Sequence, residues 1–275
     1  MAETGETAGD PDRTRRMLVF YAVGLAFLAA LGLFCWLVLG PALEAHRAVR
    51  RFRNQETQET SVTEAVAQLG GPGKAAAKLS VYLHVPARLV GTHQRQDAAT
   101  LLGSCGEAGV PPLIRALSDA DWWVRVRAAW GLYATGPAAR AAVPALIKAL
   151  GDPVWNVREA AAKPLGRLGP EARAAVPALI RNLSDGVWRV RSWTAEALGN
   201  IGPDARDAVP ALTSALDDPD GFVRVYAARA LARIEPGNAR ARPTLEKALD
   251  HEDKHVRKHA AEVLNEIGGA ADAGK

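Results

Sequence analysis

The sequence predicts an all-α fold: a right-handed solenoid of stacked two-helix repeats, preceded by one transmembrane helix. Three observations predict it. A set of residues returns every 33 positions, apolar residues inside each period fall at helical spacing, and one long run near the N-terminus carries no charge.

The apolar run comes first. From Met17 to Gly40 the chain reads MLVFYAVGLAFLAALGLFCWLVLG, 24 residues without a charge. As a helix it would extend about 36 Å, against a hydrocarbon core of about 30 Å. Tyr21 and Trp36 lie towards its two ends, where aromatic belts sit. A cleaved signal peptide fits less well, because the run is long and GPALEA is a poor small-residue cleavage site. Residues 1–16 read as a polar tail, 17–40 as a single-pass membrane anchor, and 41–61 as a basic juxtamembrane segment and linker. Arg13, Arg15 and Arg16 precede the run, and Arg47, Arg50, Arg51 and Arg53 follow it, so flanking charge leaves the orientation open.

The period governs the rest. Pro recurs at 111, 144, 177, 210 and 243. The pair Val-Arg recurs from Val124-Arg125 to Val256-Arg257, and Leu132, Leu165, Leu198, Leu231 and Leu264 keep the same register. Within a unit, AVPALIKALGD places Pro near a helix start, where a missing N–H costs nothing. In WNVREAAAKPLGRLG, Val157, Ala161, Leu165 and Leu168 share one helix face, and Gly169-Pro170 ends the helix. Such a unit cannot bury its apolar faces alone and must stack. Upstream the pattern weakens, with first-helix and second-helix positions at 75–83 and 94–102. The solenoid is therefore expected over residues 62–268, as a degenerate N-terminal cap and five regular units, with 269–275 a flexible tail. Pro164 falls inside a second helix and predicts a kink there.

The unit resembles the HEAT-repeat family, in its short bacterial form of the phycobilisome-lyase type. The first-helix VPAL, the Asp six positions before Arg, the VR pair, the following Ala-Ala and the closing LG carry the resemblance. It implies that second helices line a concave face and that the periodic Asp and Arg form a ladder along the turns. Asp119, Asp152, Asp185 and Asp218, with Arg125, Arg158, Arg191 and Arg224, would be its rungs, each Arg bonding an Asp of its own or the next unit. His251 interrupts the Asp series, as expected for a last unit with no successor to bond.

Composition excludes some function classes. The 275 residues carry a formal net charge of +4, with acidic residues spread throughout, so no concentrated basic stripe marks a nucleic-acid binder. Of the two cysteines, Cys35 lies in the apolar run, and no structural disulfide is expected. His251-Glu252-Asp253-Lys254-His255 matches H-E-x-x-H, a zinc-protease pattern that needs both His on one helix. The register puts His251 in an inter-helix turn and His255 at a helix start, so the pattern loses its chemistry. Deoxyhypusine hydroxylase, an enzyme of the HEAT family, carries His-Glu pairs on second helices. The second helices here read VREAAAK, VRSWTAE, VRVYAAR and VRKHAAE, without one. No catalytic, cofactor or metal residues are assigned.

The expected function is a non-enzymatic, membrane-tethered scaffold or adaptor that binds a protein or peptide partner as a monomeric solenoid. The alternative is an enzyme or enzyme subunit of the phycobilin-lyase or metal-dependent type. Trp122, Trp155 and Trp188 recur at 33 and would stack as a ridge beside the turns. Arg127, Trp130, Trp193, Tyr226 and Arg229 occupy outward second-helix positions. These residue types are enriched at interface hot spots, so the eight residues together form the candidate partner-binding set.

Overall fold

The protein is described by a computed structural model that covers residues 69–84 and 92–272, with residues 45, 66 and 67. Every element is helical. Helices α1 (Pro72–His84) and α2 (Thr92–Gly103) form the N-terminal pair. Five further pairs follow: α3 (Val110–Ala116) with α4 (Trp122–Thr135), α5 (Val143–Ala149) with α6 (Trp155–Leu168), and α7 (Val176–Asn182) with α8 (Trp188–Ile201). Then come α9 (Val209–Ala215) with α10 (Gly221–Ile234), and α11 (Ala241–Ala248) with α12 (Lys254–Asp272).

The repeat sets each boundary. Pro111, Pro144, Pro177 and Pro210 stand in the first turn of their seven-residue first helices, where the absent N–H is no loss. The second helices α4, α6, α8 and α10 are each 14 residues long. Gly136, Gly169 and Gly202 end three of them with φ of 62°, 60° and 75°, a region where a Cβ is penalised. The chain then runs through a seven-residue 3₁₀ stretch into the next first helix. The sequence pattern marked the helix ends but not these 3₁₀ segments.

One continuous apolar core runs through the stack. Val124, Val157, Val190 and Val223 are fully buried, as are Leu132, Leu165, Leu198 and Leu231 and the first-helix Leu113, Leu146, Leu179 and Leu212. Second helices pack directly on one another. Small residues permit this: a Cβ on Gly199 would lie 2.8 Å from Ala230 Cα, and one on Gly103 would lie 2.8 Å from Gly131 Cα. The short first helices meet their counterparts mainly through the 3₁₀ segments. Pro164 does not shorten α6, which runs unbroken from Trp155 to Leu168.

Two expectations need correction. Localisation to a membrane is overturned: among the described residues, no helix is long and apolar enough to cross one. Residues 17–40, the expected span, lie outside the described residues, as do 1–16 and, apart from residue 45, 41–61. At the other end α12 continues to Asp272, past Gly268, where the pattern placed the end of the solenoid. Gly268 holds the register position of Gly202, but no Pro follows it to turn the chain, and Ala270-Ala271 sustain helix.

Candidate functional site

The turns carry a ladder of ion pairs with a single direction. Arg125 donates from Nε and Nη2 to the two carboxylate oxygens of Asp152, at 2.7 and 2.9 Å. Arg158 does the same to Asp185, and Arg191 to Asp218, 27 residues on each time. Arg95 of the N-terminal pair bonds Asp119, so the ladder begins one unit earlier than the sequence register suggested. In each regular rung Nη1 returns to the carbonyl of its own unit's Asp: Arg125 to Asp119, Arg158 to Asp152, Arg191 to Asp185. Each Asp also accepts from the backbone N–H two residues later, closing its turn. The Asp of the last unit should thus receive Arg224. The break at His251 is therefore not explained by a missing successor, because the arginine that would reach position 251 is Arg224 of the preceding unit.

A second array crosses the outward face of the second helices. Residues 33 apart are side-by-side neighbours there, and two columns matter. One contains Arg127, Ala160, Trp193, Tyr226 and His259; the other contains Trp130, Lys163, Glu196, Arg229 and Glu262. Trp193 and Tyr226 stack at 6.2 Å, and Tyr226 and His259 sit 6.0 Å apart. Lys163 joins the columns: its Nζ lies 4.1 Å from the centre of the Trp130 ring and 3.9 Å from that of Trp193, two cation–π contacts at once. Its side chain is only 8% exposed and also meets Glu159 at 3.2 Å. Beyond it, Arg229 and Arg233 share the Glu266 carboxylate. Burial raises the Glu266 carboxyl, but the hydrogen bonds and charges of these two arginines outweigh it and hold the group below its ordinary value.

Glu196 is the unresolved member. Its Oε1 lies 3.7 Å from Arg229 Nη1, while Oε2 is buried and has no hydrogen-bond partner among the described residues. Burial pushes this carboxyl above its ordinary value, and the charges of Arg229, Arg233, Lys163 and His259 counter only part of the shift. It lines a groove of about 220 Å³ with Tyr133, Lys163, Gly166, Trp193 and Asn200. Gly166 keeps the groove open, since a Cβ there would lie 3.4 Å from Asn200 Nδ2 and 3.0 Å from Ala197 Cα.

The structure brings part of the expected set together. Trp130, Trp193, Tyr226 and Arg229 lie on this face, and Arg127 is exposed beside Trp123, 5.4 Å from its ring. The Trp ridge does not form: among the described residues no ring contact joins Trp122, Trp155 and Trp188. Trp122 instead meets Trp123, and Trp188 stacks on Phe222 at 5.5 Å. Each heads its second helix. Sequence reasoning left Tyr133, Arg167 and Asn200 out of the set, although their columns at a spacing of 33 were legible.

Other reactive groups are committed elsewhere. His251 sits in the turn before α12, and its Nδ1 accepts from Asp253 N–H at 3.0 Å, while His255 is within the helix. Cys105 is 2% exposed, and burial pushes its thiol up to about 11. Burial thereby disfavours the thiolate form at neutral pH.

Comparison with known proteins places this architecture. The sequence pattern of the family described as HEAT repeats matches residues 93–153, 110–199, 143–224 and 209–274. The chain belongs to the HEAT-repeat family. It is similar to a chain of the complex of CpcE and CpcF of phycocyanin lyase from Nostoc sp. PCC7120, with 32% identity, 72% of this chain and 77% of that chain covered, and a TM-score of 0.57. An engineered protein matches at 24% identity over 82% of this chain and 68% of its own, with a TM-score of 0.51. A designed armadillo repeat protein matches at 21% over 69% and 98%, with a TM-score of 0.50. These last two share the fold alone. No curated protein matches the chain.

Proposed function

We propose that the protein is a non-enzymatic scaffold or adaptor that binds a protein or peptide partner on the outward face of its second helices. The observation that carries this reading is Glu196 Oε2, a buried acceptor without a donor among the described residues, on a residue that lines a groove with Tyr133 and Trp193. An unpaired buried acceptor costs about 1–3 kcal/mol, which a partner N–H would recover. Trp130, which touches the groove residues Lys163 and Tyr133, stands 41% exposed, an indole of the kind that anchors interfaces. The similar phycocyanin-lyase chain occurs in a two-protein complex, which supports a protein partner.

The test compares capture of partners on immobilised wild type and on a Trp130→Ala/Trp193→Ala variant of equal melting temperature. A partner held by wild type and weakened about 30-fold or more in the variant, as for a hot spot near 2 kcal/mol, supports the reading. Equal retention by both overturns it. The same phycocyanin-lyase likeness favours the second reading, an enzyme or enzyme subunit of phycobilin-lyase or metal-dependent type. Stoichiometric metal or visible absorbance in the purified protein would favour that reading.

A further inference from the structure

We propose that the break in the ladder at Arg224 is a binding site for an external carboxylate. It lies along the turns, away from the proposed partner face, and does not depend on that reading.

The preceding rungs define what a guanidinium in this position is built to hold. In each, Nη1 is tied to the turn of its own unit, and the Nε/Nη2 edge grips a carboxylate with two parallel bonds. Arg224 keeps the first half. Its Nη1 donates to Asp218 O at 2.7 Å and to Pro219 O at 3.0 Å, the same anchors used by Arg125 and Arg158. The second half is missing: among the described residues no carboxylate meets its Nε or Nη2. The ladder position that should supply one is His251.

His251 performs only part of the task of Asp. Its Nδ1 accepts from Asp253 N–H, as Asp218 Oδ1 accepts from Asp220 N–H, so the turn still closes. An imidazole that accepts at Nδ1 carries its proton on Nε2, which is then a donor. A donor cannot receive a guanidinium N–H. The ring rests instead on Gly221, whose added Cβ would meet His251 Nε2 at 2.8 Å. In the three preceding units this position is Trp122, Trp155 or Trp188, so the ring occupies room that an indole would otherwise need.

The result is a groove of about 600 Å³ lined by Arg224, Lys247, Thr244, His251, Asp217 and Asp218, with Asp250 on its wall. The acidic members do not defeat an anion there. Asp218 is gripped by Arg191, and Asp217 by Arg240 at 2.9 Å. Asp250 remains as one negative charge, against Arg224 and Lys247. The guanidinium is pre-oriented by its two carbonyl anchors, so little freedom is lost when a carboxylate docks.

The experiment uses the full chain and sodium acetate as the probe, with sodium chloride at equal ionic strength as the control. The Nε–H resonance of Arg224, assigned by its loss in Arg224→Lys, is followed by nuclear magnetic resonance. It should shift saturably with acetate in wild type, while that of Arg191 stays still. In His251→Asp the ladder closes, so the Arg224 signal should already be displaced and acetate affinity should fall about tenfold or more. As a second readout, acetate should raise the melting temperature of wild type relative to chloride. It should not raise that of His251→Asp, or of Arg224→Gln if His251→Asp does not fold. An Arg224 signal indifferent to acetate, or an equal thermal shift in wild type and variants, overturns the proposal. A parallel titration with a blocked Asp-containing tetrapeptide separates the sources. Tighter binding than acetate assigns the site to a protein side chain, and equal binding assigns it to a small free carboxylate.

Discussion

Asp185→Ala tests whether the turn ladder holds the units together. Asp185 Oδ2 receives Arg158 Nε at 2.7 Å, and Oδ1 receives Arg158 Nη2 and Val187 N–H, each at 2.9 Å. The two side chains are 18% and 8% exposed, so little water can replace the lost carboxylate. Truncation strips Arg158 of its charged partner and leaves it bonded to two carbonyls only. Removing one member of a buried pair costs about 3–5 kcal/mol, and the partial exposure of Arg158 argues for the lower end, near 3 kcal/mol. The assay is urea unfolding followed by tryptophan fluorescence and circular dichroism. Because the rung joins two neighbouring units, the variant should also broaden or split the transition. Asp217→Ala is the control: its pair with Arg240 is 50% and 73% exposed and should contribute well under about 1 kcal/mol. A pH series adds a second arm. Burial tends to raise the Asp185 carboxyl, but the Arg158 hydrogen bond, the Val187 N–H and the charges of Arg158 and Arg191 hold it below its ordinary value. A depressed folded-state pKa stabilises above the unfolded value, near about 3.9, and that stability is lost as pH falls through the folded value. The gap between wild type and Asp185→Ala should therefore be constant near neutrality and shrink below about pH 4. If Asp185→Ala loses no more stability than Asp217→Ala, the ladder does not couple the units.

Three further outcomes are expected. Pro164→Ala restores a donor inside α6 and places Ala where α8 and α10 have Ala197 and Ala230, so stability should rise by about 2 kcal/mol; an unchanged or lower urea midpoint would show that the ring fills space the helix needs. Gly199→Val should cost about 2 kcal/mol or more, because its Cβ meets Ala230 Cα at 2.8 Å and backbone cannot yield as a side chain can; Gly186→Val, which meets nothing within 4 Å, should not show this packing penalty. In a Cys35→Ser background, Cys105 should resist thiol reagents at pH 8 and react only as the chain unfolds, since its thiol is buried and pushed up to about 11; rapid labelling of the native protein would contradict the burial.

The sequence alone determined everything that the period determines. Pro at the first turn, Gly at the helix end and Val and Leu at fixed offsets each act on the local backbone or on a stacked neighbour, and every copy meets the same surroundings. The place of His251 in a turn rather than on a helix followed from that register alone. The membrane reading of residues 17–40 had no such repeat to check it. Tertiary structure decided what differs between copies. The ladder could be read within a unit or between units until the arginines were seen to reach 27 residues forward. Three tryptophans at one spacing make no ring contact with one another among the described residues, because register fixes a Cα and not a rotamer: Trp122 meets Trp123 and Trp188 meets Phe222 instead. Lys163 reaches rings on the helices to either side of it, and Glu196 keeps only a 3.7 Å contact with Arg229 through Oε1, because Lys163 meets Glu159 and the hydrogen bonds of Arg229 and Arg233 go to Glu266. A repeat specifies its own core through like contacts, whereas its surface is specified by unlike side chains that only stacking brings together.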